Sequence, residues 1–512
     1  MENSHTPEQL AILEAAKNSS SSLMISAYAG CGKTSTLVAL ANTIPPSPAL
    51  ALAFNVKIKK ELEKRFPSHF KVATLNGLGH AAWASAIGQY PTIDERKLGK
   101  IITTLSKKEG VSLEEDDWMN LLTLVAKAMQ NGLVPSHFPM KGLIEDSPKI
   151  WAIIADENFI DIKPSLIPFA REILITSIKM AFPTKGNAPT ISFDDQIYLS
   201  TLLGGNYQRY PLVLVDEAQD LSPLNHLQLA KSISSRLVIC GDPKQAIYSF
   251  RGADTSSMEK IRGLRQDWID LPLTTTFRCP KKLVERQQRH APGFTAFHTN
   301  SEGEVLSWVS RKDDIPWTWE EVKTFQHSPQ GSIAILSRNN APVLSMAFKL
   351  LAHSVGVCVL GRDIGKSLVA LAKKILPEEN LSAEICREKI ESWIAQETSL
   401  ARANDNEGKI AGIKDRGECL LVVLNVGGAT TSGELRSKLK DLFSKEKEQV
   451  TLSTGHRSKG LEWDLVIHLD PWRVPAKQCR GEKALGQEYN LKYVIETRAK
   501  KTLILANLED FL

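Results

Sequence analysis

The run Ala27-Tyr28-Ala29-Gly30-Cys31-Gly32-Lys33-Thr34 follows an apolar stretch, residues 23–26, and opens a segment with helical spacing. Small residues in that layout let backbone N–H groups turn inward around phosphate oxygens, and the helix N-terminus adds its positive dipole end. Lys33 can then reach the β- and γ-phosphates of ATP, Thr34 can ligate Mg2+, and Ser35 follows in the same first turn. Ala27 stands where the commonest pattern has Gly. A second run, Leu212-Val213-Leu214-Val215-Asp216-Glu217, delivers two carboxylates at the end of an apolar strand. Asp216 can hold Mg2+ through water while Glu217 polarises an attacking water, which divides metal and base roles between neighbours. Taken alone, such a pair also serves as a helix N-cap; beside the first run it reads as the other half of a nucleotide site.

Those residues need a scaffold that brings strand ends together. Short apolar runs at residues 23–27, 49–54 and 71–74 alternate with helical spacing at 36–41 and 57–65, the pattern of a parallel sheet. The pattern resumes at 212–215 and 237–240 after a helix-rich interval. A second α/β unit begins near Thr276, with strands at 332–336, 465–469 and 502–505 and its own polar, helical interruption. The expected organisation is a first α/β domain over 1–75 and 191–275 with a helical insertion over 76–190. The second domain spans 276–366 and 448–512, with a reduced insertion over 367–447.

A chain of 512 residues, 42% hydrophobic and 24% charged, has the composition of a globular protein of several domains and not of a collagen-like or disordered one. Its formal charge of +5 is small for that length, so any polyanion site must be a local groove. The seven cysteines are scattered with no CxxC, which argues against a zinc site or a disulfide framework. The first residues, Met1-Glu2-Asn3-Ser4-His5, lack a signal-peptide layout, and no stretch approaches ~18 apolar residues. A soluble cytoplasmic protein, of bacterial or viral origin and with no membrane partner, is expected.

In chain order, the motifs resemble those of superfamily 1 DNA helicases of the UvrD/Rep/PcrA type. Thr6-Pro7-Glu8-Gln9 is similar to the Q motif, Ala53-Phe54-Asn55 to motif Ia, and Thr74-Leu75-Asn76 to the next DNA-contacting motif, with Asn76 in place of the usual His. Phe193-Asp194-Asp195 is also familiar from this group, and residues 241–253, beginning Gly241-Asp242-Pro243-Lys244-Gln245, resemble motif III at length. In the second unit Thr276-Phe277-Arg278 resembles motif IV, residues 335–341 the family segment after it, and residues 454–463 motif V. Residues 493–500 resemble motif VI, with Asn490 where family members usually carry Arg. The two insertions carry no recognisable motif, and the second is about half the usual size.

The resemblance implies an α/β fold of two RecA-like P-loop domains with parallel sheets, each carrying a mainly helical insertion. It implies hydrolysis of ATP with Mg2+ and movement on single-stranded DNA and single-strand/duplex junctions, in the 3′→5′ direction. Gln9 would read adenine, Phe277 would stack on it, and Glu462 would accept from the ribose hydroxyl. Gln245 would sense the γ-phosphate and couple it to Phe250, which would stack on a base. Phe54 is a second stacking candidate, while Asn55, Thr74, Arg251, Thr454 and His456 would contact the strand. Arg278 and Arg498 would act as arginine fingers. Two other readings stay open: a single-strand translocase that displaces bound proteins without efficient unwinding, and a nucleotide-switched scaffold. Nothing in the sequence senses a 2′-hydroxyl, so RNA also stays open.

Overall fold

The computed structural model describes residues 5–158, 160, 162–247, 257–308, 331–403, 407–444, 450–477, 479 and 481–511. They form two compact units, Met1–Ala27 with Gly32–Leu273, and Tyr28–Cys31 with Thr274–Leu512. Each is built on a six-stranded parallel sheet.

In the first unit the strands are β1 (Ser22–Ala27), β2 (Ala49–Ala53), β3 (Phe70–Thr74), β4 (Tyr210–Val215), β5 (Ile233–Gly241) and β6 (Trp268–Leu273). Their order is β3-β2-β4-β5-β1-β6, with every neighbouring pair parallel. A parallel sheet is covered on both faces, so its strands read as continuous apolar runs; all five residues of β2 are buried. Because all strands point one way, the loops after β1, β4 and β5 leave from one edge, where open α/β sheets bind ligands. Helix α1 (Pro7–Asn18) starts on a capping box in which Thr6 Oγ1 accepts from the Gln9 N–H and Gln9 Oε1 accepts from the Thr6 N–H. Helix α2 (Lys33–Thr43) starts after Gly32, whose φ of +75° is a left-handed conformation that glycine adopts without a Cβ clash.

Between β3 and β4, helices Lys97–Glu109, Glu115–Gln130, Pro148–Glu157, Ile167–Met180 and Phe193–Leu202 close around a core of their own that includes Ile102, Leu121, Val125, Met129 and Ile173. A fully buried ion pair crosses it: Lys97 Nζ donates to Asp195 Oδ2 at 2.7 Å and to the Ser177 carbonyl at 2.7 Å. The same carboxylate oxygen accepts from the Ser192 N–H at 2.7 Å, so Asp195 also caps its own helix. Burial works to lower the Lys97 pKa, and the Asp195 charge only partly offsets it. Breaking a buried pair strands the remaining charge. Lys97→Met is therefore expected to cost ~3–5 kcal/mol, read as a lower urea midpoint than wild type.

In the second unit the strands are β7 (Glu304–Ser307), β8 (Ile333–Ser337), β9 (Val357–Val359), β10 (Val450–Thr454), β11 (Trp463–Leu469) and β12 (Ala499–Ala506). They run parallel in the order β7-β12-β11-β8-β10-β9. Helices Ala383–Ala403, Glu407–Asn425 and Ser432–Ser444 lie between β9 and β10 in the chain. Their buried residues, among them Ile390, Leu420 and Leu439, belong to the same apolar cluster as Ile335 and Val450 of the sheet. Asp415 ties them further, because its carboxylate accepts from the Asn340 and Ala341 N–H groups at the start of helix Asn340–Ala352. Among the described residues, no helix is long and apolar enough to cross a membrane.

Candidate nucleotide site

Three strand ends of the first unit bring the chemistry together. After β1, Lys33 Nζ lies 3.6 Å from Glu217 Oε1, which follows β4. Thr34 Oγ1 donates to Asp216 Oδ2 at 3.4 Å. Glu217 has a φ of +53°, a left-handed conformation that costs a side-chain-bearing residue ~1–2 kcal/mol; it turns the carboxylate off the strand axis. The Glu217 N–H donates to Asp216 Oδ1 at 2.9 Å, which orients the two acids relative to each other.

Gln219 extends the site to β5. Its Nε2 donates to Glu217 Oε2 at 2.5 Å, while its Oε1 accepts from the Asp242 N–H at 2.9 Å. Asp242 Oδ2 in turn accepts from Gln245 Nε2 at 2.6 Å. This relay joins the base candidate to the candidate γ-phosphate sensor. Gly241 makes it possible, since a Cβ there would sit 2.6 Å from Gln219 Oε1. The sequence alone assigns no role to Gln219, two residues past Glu217, or to Asp242 beside Gly241; their partnership depends on β4 and β5 being neighbours.

Three carboxylates face one ammonium. Burial pushes the Asp216 carboxyl up to about 7, helped by the Glu217 charge and opposed by Lys33. Burial likewise raises Asp242, against the pull of Lys33. For Lys33, burial works downward, but Glu217, Asp242 and Asp216 outweigh it and hold the ammonium firmly charged. A hydroxyl and a carboxylate in an acidic pocket are hard oxygen donors of the kind Mg2+ takes, so Thr34 and Asp216 fit such an ion.

Other site candidates of this unit have local duties. Gln9 is buried and its Nε2 donates to Thr36 Oγ1 of α2 at 3.0 Å. Asn55 caps helix Val56–Arg65 by accepting from the Ile58 N–H at 2.9 Å, and Thr74 caps helix Leu75–Ile87 by accepting from the Gly77 N–H at 3.1 Å. Phe54 is 41% exposed. These three stand at the ends of β2 and β3, on the edge that carries Lys33. Ala27 is buried and Ser35 exposed. Phe250 and Arg251 lie outside the described residues.

The second unit holds the remaining candidates. Tyr28–Cys31 group with it, where Thr276 Oγ1 donates to the Ala29 carbonyl at 2.8 Å and the Phe277 N–H to the Gly30 carbonyl at 2.9 Å. Phe277 is half-exposed and tilted against Phe297 at 4.8 Å between centroids. Arg278 Nε pairs with Glu462 Oε2 at 2.6 Å, so the two residues meant for different parts of ATP hold each other. Arg498 is buried, donating to the carbonyls of Val494 at 2.9 Å and Leu461 at 3.2 Å. Its neighbour Glu496 is bound by Arg286 at 2.8 Å, Gln287 at 2.5 Å and His468 at 3.4 Å. Burial alone would raise that carboxyl, but its His468 and Arg286 partners bring it down to about 2. Thr454 is buried, and His456 partly so.

Two parallel sheets, one carrying a P-loop lysine and an acidic strand end, define a P-loop α/β protein with two RecA-like units. The UvrD/REP helicase N-terminal domain model matches residues 188–264, and the UvrD-like helicase C-terminal domain model matches residues 428–510. Over these two segments the chain is similar to UvrD/Rep-type superfamily 1 helicases. It is 24% identical over 546 aligned positions to F-box DNA helicase protein 1 of Schizosaccharomyces pombe, covering 98% of this chain and 57% of that protein. It is also 24% identical to F-box DNA helicase 1 of Gallus gallus, covering 99% and 49%. A probable DNA helicase II homolog of Rickettsia conorii is 20% identical, with 95% of this chain and 90% of that protein aligned. The chain spans about half the length of the two F-box relatives.

Proposed function

We propose that the chain is an ATP-dependent DNA helicase that moves 3′→5′ on single-stranded DNA and acts at single-strand/duplex junctions. The observation that carries this reading is the cluster of Lys33, Glu217, Thr34 and Asp216 at the ends of β1 and β4, the two strands that flank β5, read with the DNA helicase names of the relatives. Lys33 binds the β- and γ-phosphates, and Glu217 takes the proton of the attacking water. Thr34 and Asp216 would hold Mg2+, which supplies positive charge against the phosphates. Gln245 reports the γ-phosphate through Asp242 and Gln219 to Glu217. Gln9 and Phe277 hold adenine and Glu462 the ribose, while Arg278 and Arg498 stabilise the charge of the transferred phosphoryl group. Phe54, Asn55, Thr74, Phe250, Arg251, Thr454 and His456 contact the strand.

In this reading residues 1–75 and 191–275 are the first motor domain and 276–366 with 448–512 the second, with insertions at 76–190 and 367–447. ATP binding and release change the grip of the two domains in turn, an inchworm advance. Melting costs ~1.4 kcal/mol per base-pair step on average, within reach of a stepwise motor.

Single-stranded DNA should stimulate ATP hydrolysis, and a 3′-tailed duplex should be unwound faster than a 5′-tailed one. Absence of stimulation by single-stranded DNA would sink the assignment; a preference for the 5′ tail would reverse the polarity, and stronger stimulation by a matched RNA would change the substrate. The short second insertion, 367–447, motivates one further reading, a translocase that clears proteins from single strands. Displacement of a bound protein with no unwinding of either duplex would select it.

A further inference from the structure

Strand β11 leaves the sheet through Asp470, a non-glycine residue with a φ of +53°. Its carboxylate is buried and engaged, accepting from Arg473 Nε at 2.7 Å and from the Leu508 N–H at 2.8 Å. The Asp470 N–H donates to the Ala506 carbonyl at 2.8 Å, and the Arg473 N–H donates back to the Asp470 carbonyl at 3.0 Å, closing the short turn Pro471–Arg473. Downstream, the Ala476 N–H donates to Glu488 Oε2 at 2.8 Å. The turn is held from both sides, yet its middle residue, Trp472, is 53% exposed. Two cations lie over its ring, the Arg473 guanidinium carbon at 4.6 Å and Lys477 Nζ at 5.6 Å from the centroid. A large ring kept in water on a fixed turn beside positive charge suits a planar partner that carries negative charge.

Its position narrows the partner. Leu336 pairs with His468 and Ser337 with Thr454, so β11, β8 and β10 are successive parallel strands. The turn of Trp472 therefore leaves the same edge of the sheet as the Thr454–His456 segment, after strands that lie two spacings or ~10 Å apart. We infer that Trp472 is a base-stacking residue for single-stranded nucleic acid, with Arg473 and Lys477 meeting the neighbouring phosphates. The inference rests on the single-strand motor reading and adds to it a ring that none of the motifs supplies. Stacking on an indole tolerates any base, as a translocase requires.

The test is binding of a labelled oligothymidine, followed by anisotropy, to the full chain and to Trp472→Ala and Trp472→Tyr. The Ala variant should bind ~5- to 140-fold more weakly, the loss of one stack at ~1–3 kcal/mol. The Tyr variant, which keeps a ring, should stay within about threefold of wild type. On a strand with abasic sites, wild type and Trp472→Ala should bind alike. Wild-type affinity in the Ala variant, or an equal loss on abasic and normal strands, overturns the stacking role and leaves the motor reading standing; failure of wild type to bind any single strand removes the motor reading itself. Thermal melting checks the fold. Should Trp472→Ala melt early, Lys477→Glu on its exposed side chain decides, because undiminished affinity there overturns the proposal.

Discussion

Glu217→Gln lowers ATP turnover by ~10²–10⁴-fold, the usual contribution of a positioned general base, and leaves nucleotide affinity nearly intact. The amide keeps the size of the carboxylate and can still accept from Gln219, which reaches Glu217 Oε2 at 2.5 Å. What disappears is the capacity to take a proton and the 3.6 Å pairing with Lys33. Lys33 stays charged, because Asp242 and Asp216 still act on it. Phosphate release in the steady state measures the first effect, and displacement of a fluorescent ATP analogue measures the second. A variant that hydrolyses ATP at the wild-type rate would remove Glu217 from the chemistry and return it to a structural role at the end of β4.

Arg278→Ala carries the largest expected loss, ~10³–10⁵ in turnover, if its guanidinium stabilises the transferring phosphoryl group. The alternative is a partly exposed ion pair with Glu462, worth less than ~1 kcal/mol of stability and nothing in turnover. The two accounts separate cleanly: a melting temperature close to wild type with hydrolysis near background fits the finger, whereas wild-type hydrolysis fits the ion pair. Arg498 offers a poorer test, since it is buried with its guanidinium donating to the Val494 and Leu461 carbonyls, so its removal would disturb the packing as well as any contact with nucleotide.

The parallel α/β architecture was legible because covered strands must be apolar throughout, as the runs that became β2, β4 and β8 show. The positions of the P-loop and of the acidic strand end were legible for a similar reason: each places its candidate residues directly after such a run. The Glu217–Gln219–Asp242–Gln245 relay was not, because it depends on which strands neighbour each other, and strand order is absent from a linear pattern. Asn55 and Thr74 show a different limit. Both stand where a strand-contacting residue was expected, and both also cap a helix, two uses that select the same short polar side chains. The merger of helices 383–444 with the core of their sheet was equally hidden, since an amphipathic helix has the same periodicity whichever apolar surface it meets.

That merger limits how the second unit can work. To pivot as a separate arm, those helices would have to break the packing of helix Glu407–Asn425 on helix Asn340–Ala352 and of helix Ser432–Ser444 on β9, opening part of the common cluster. Each large aliphatic group wetted in that opening would cost ~1.5–3 kcal/mol. In the proposed motor, helices 383–444 would then move with their sheet, and a large excursion would be sought at hinges elsewhere in the chain.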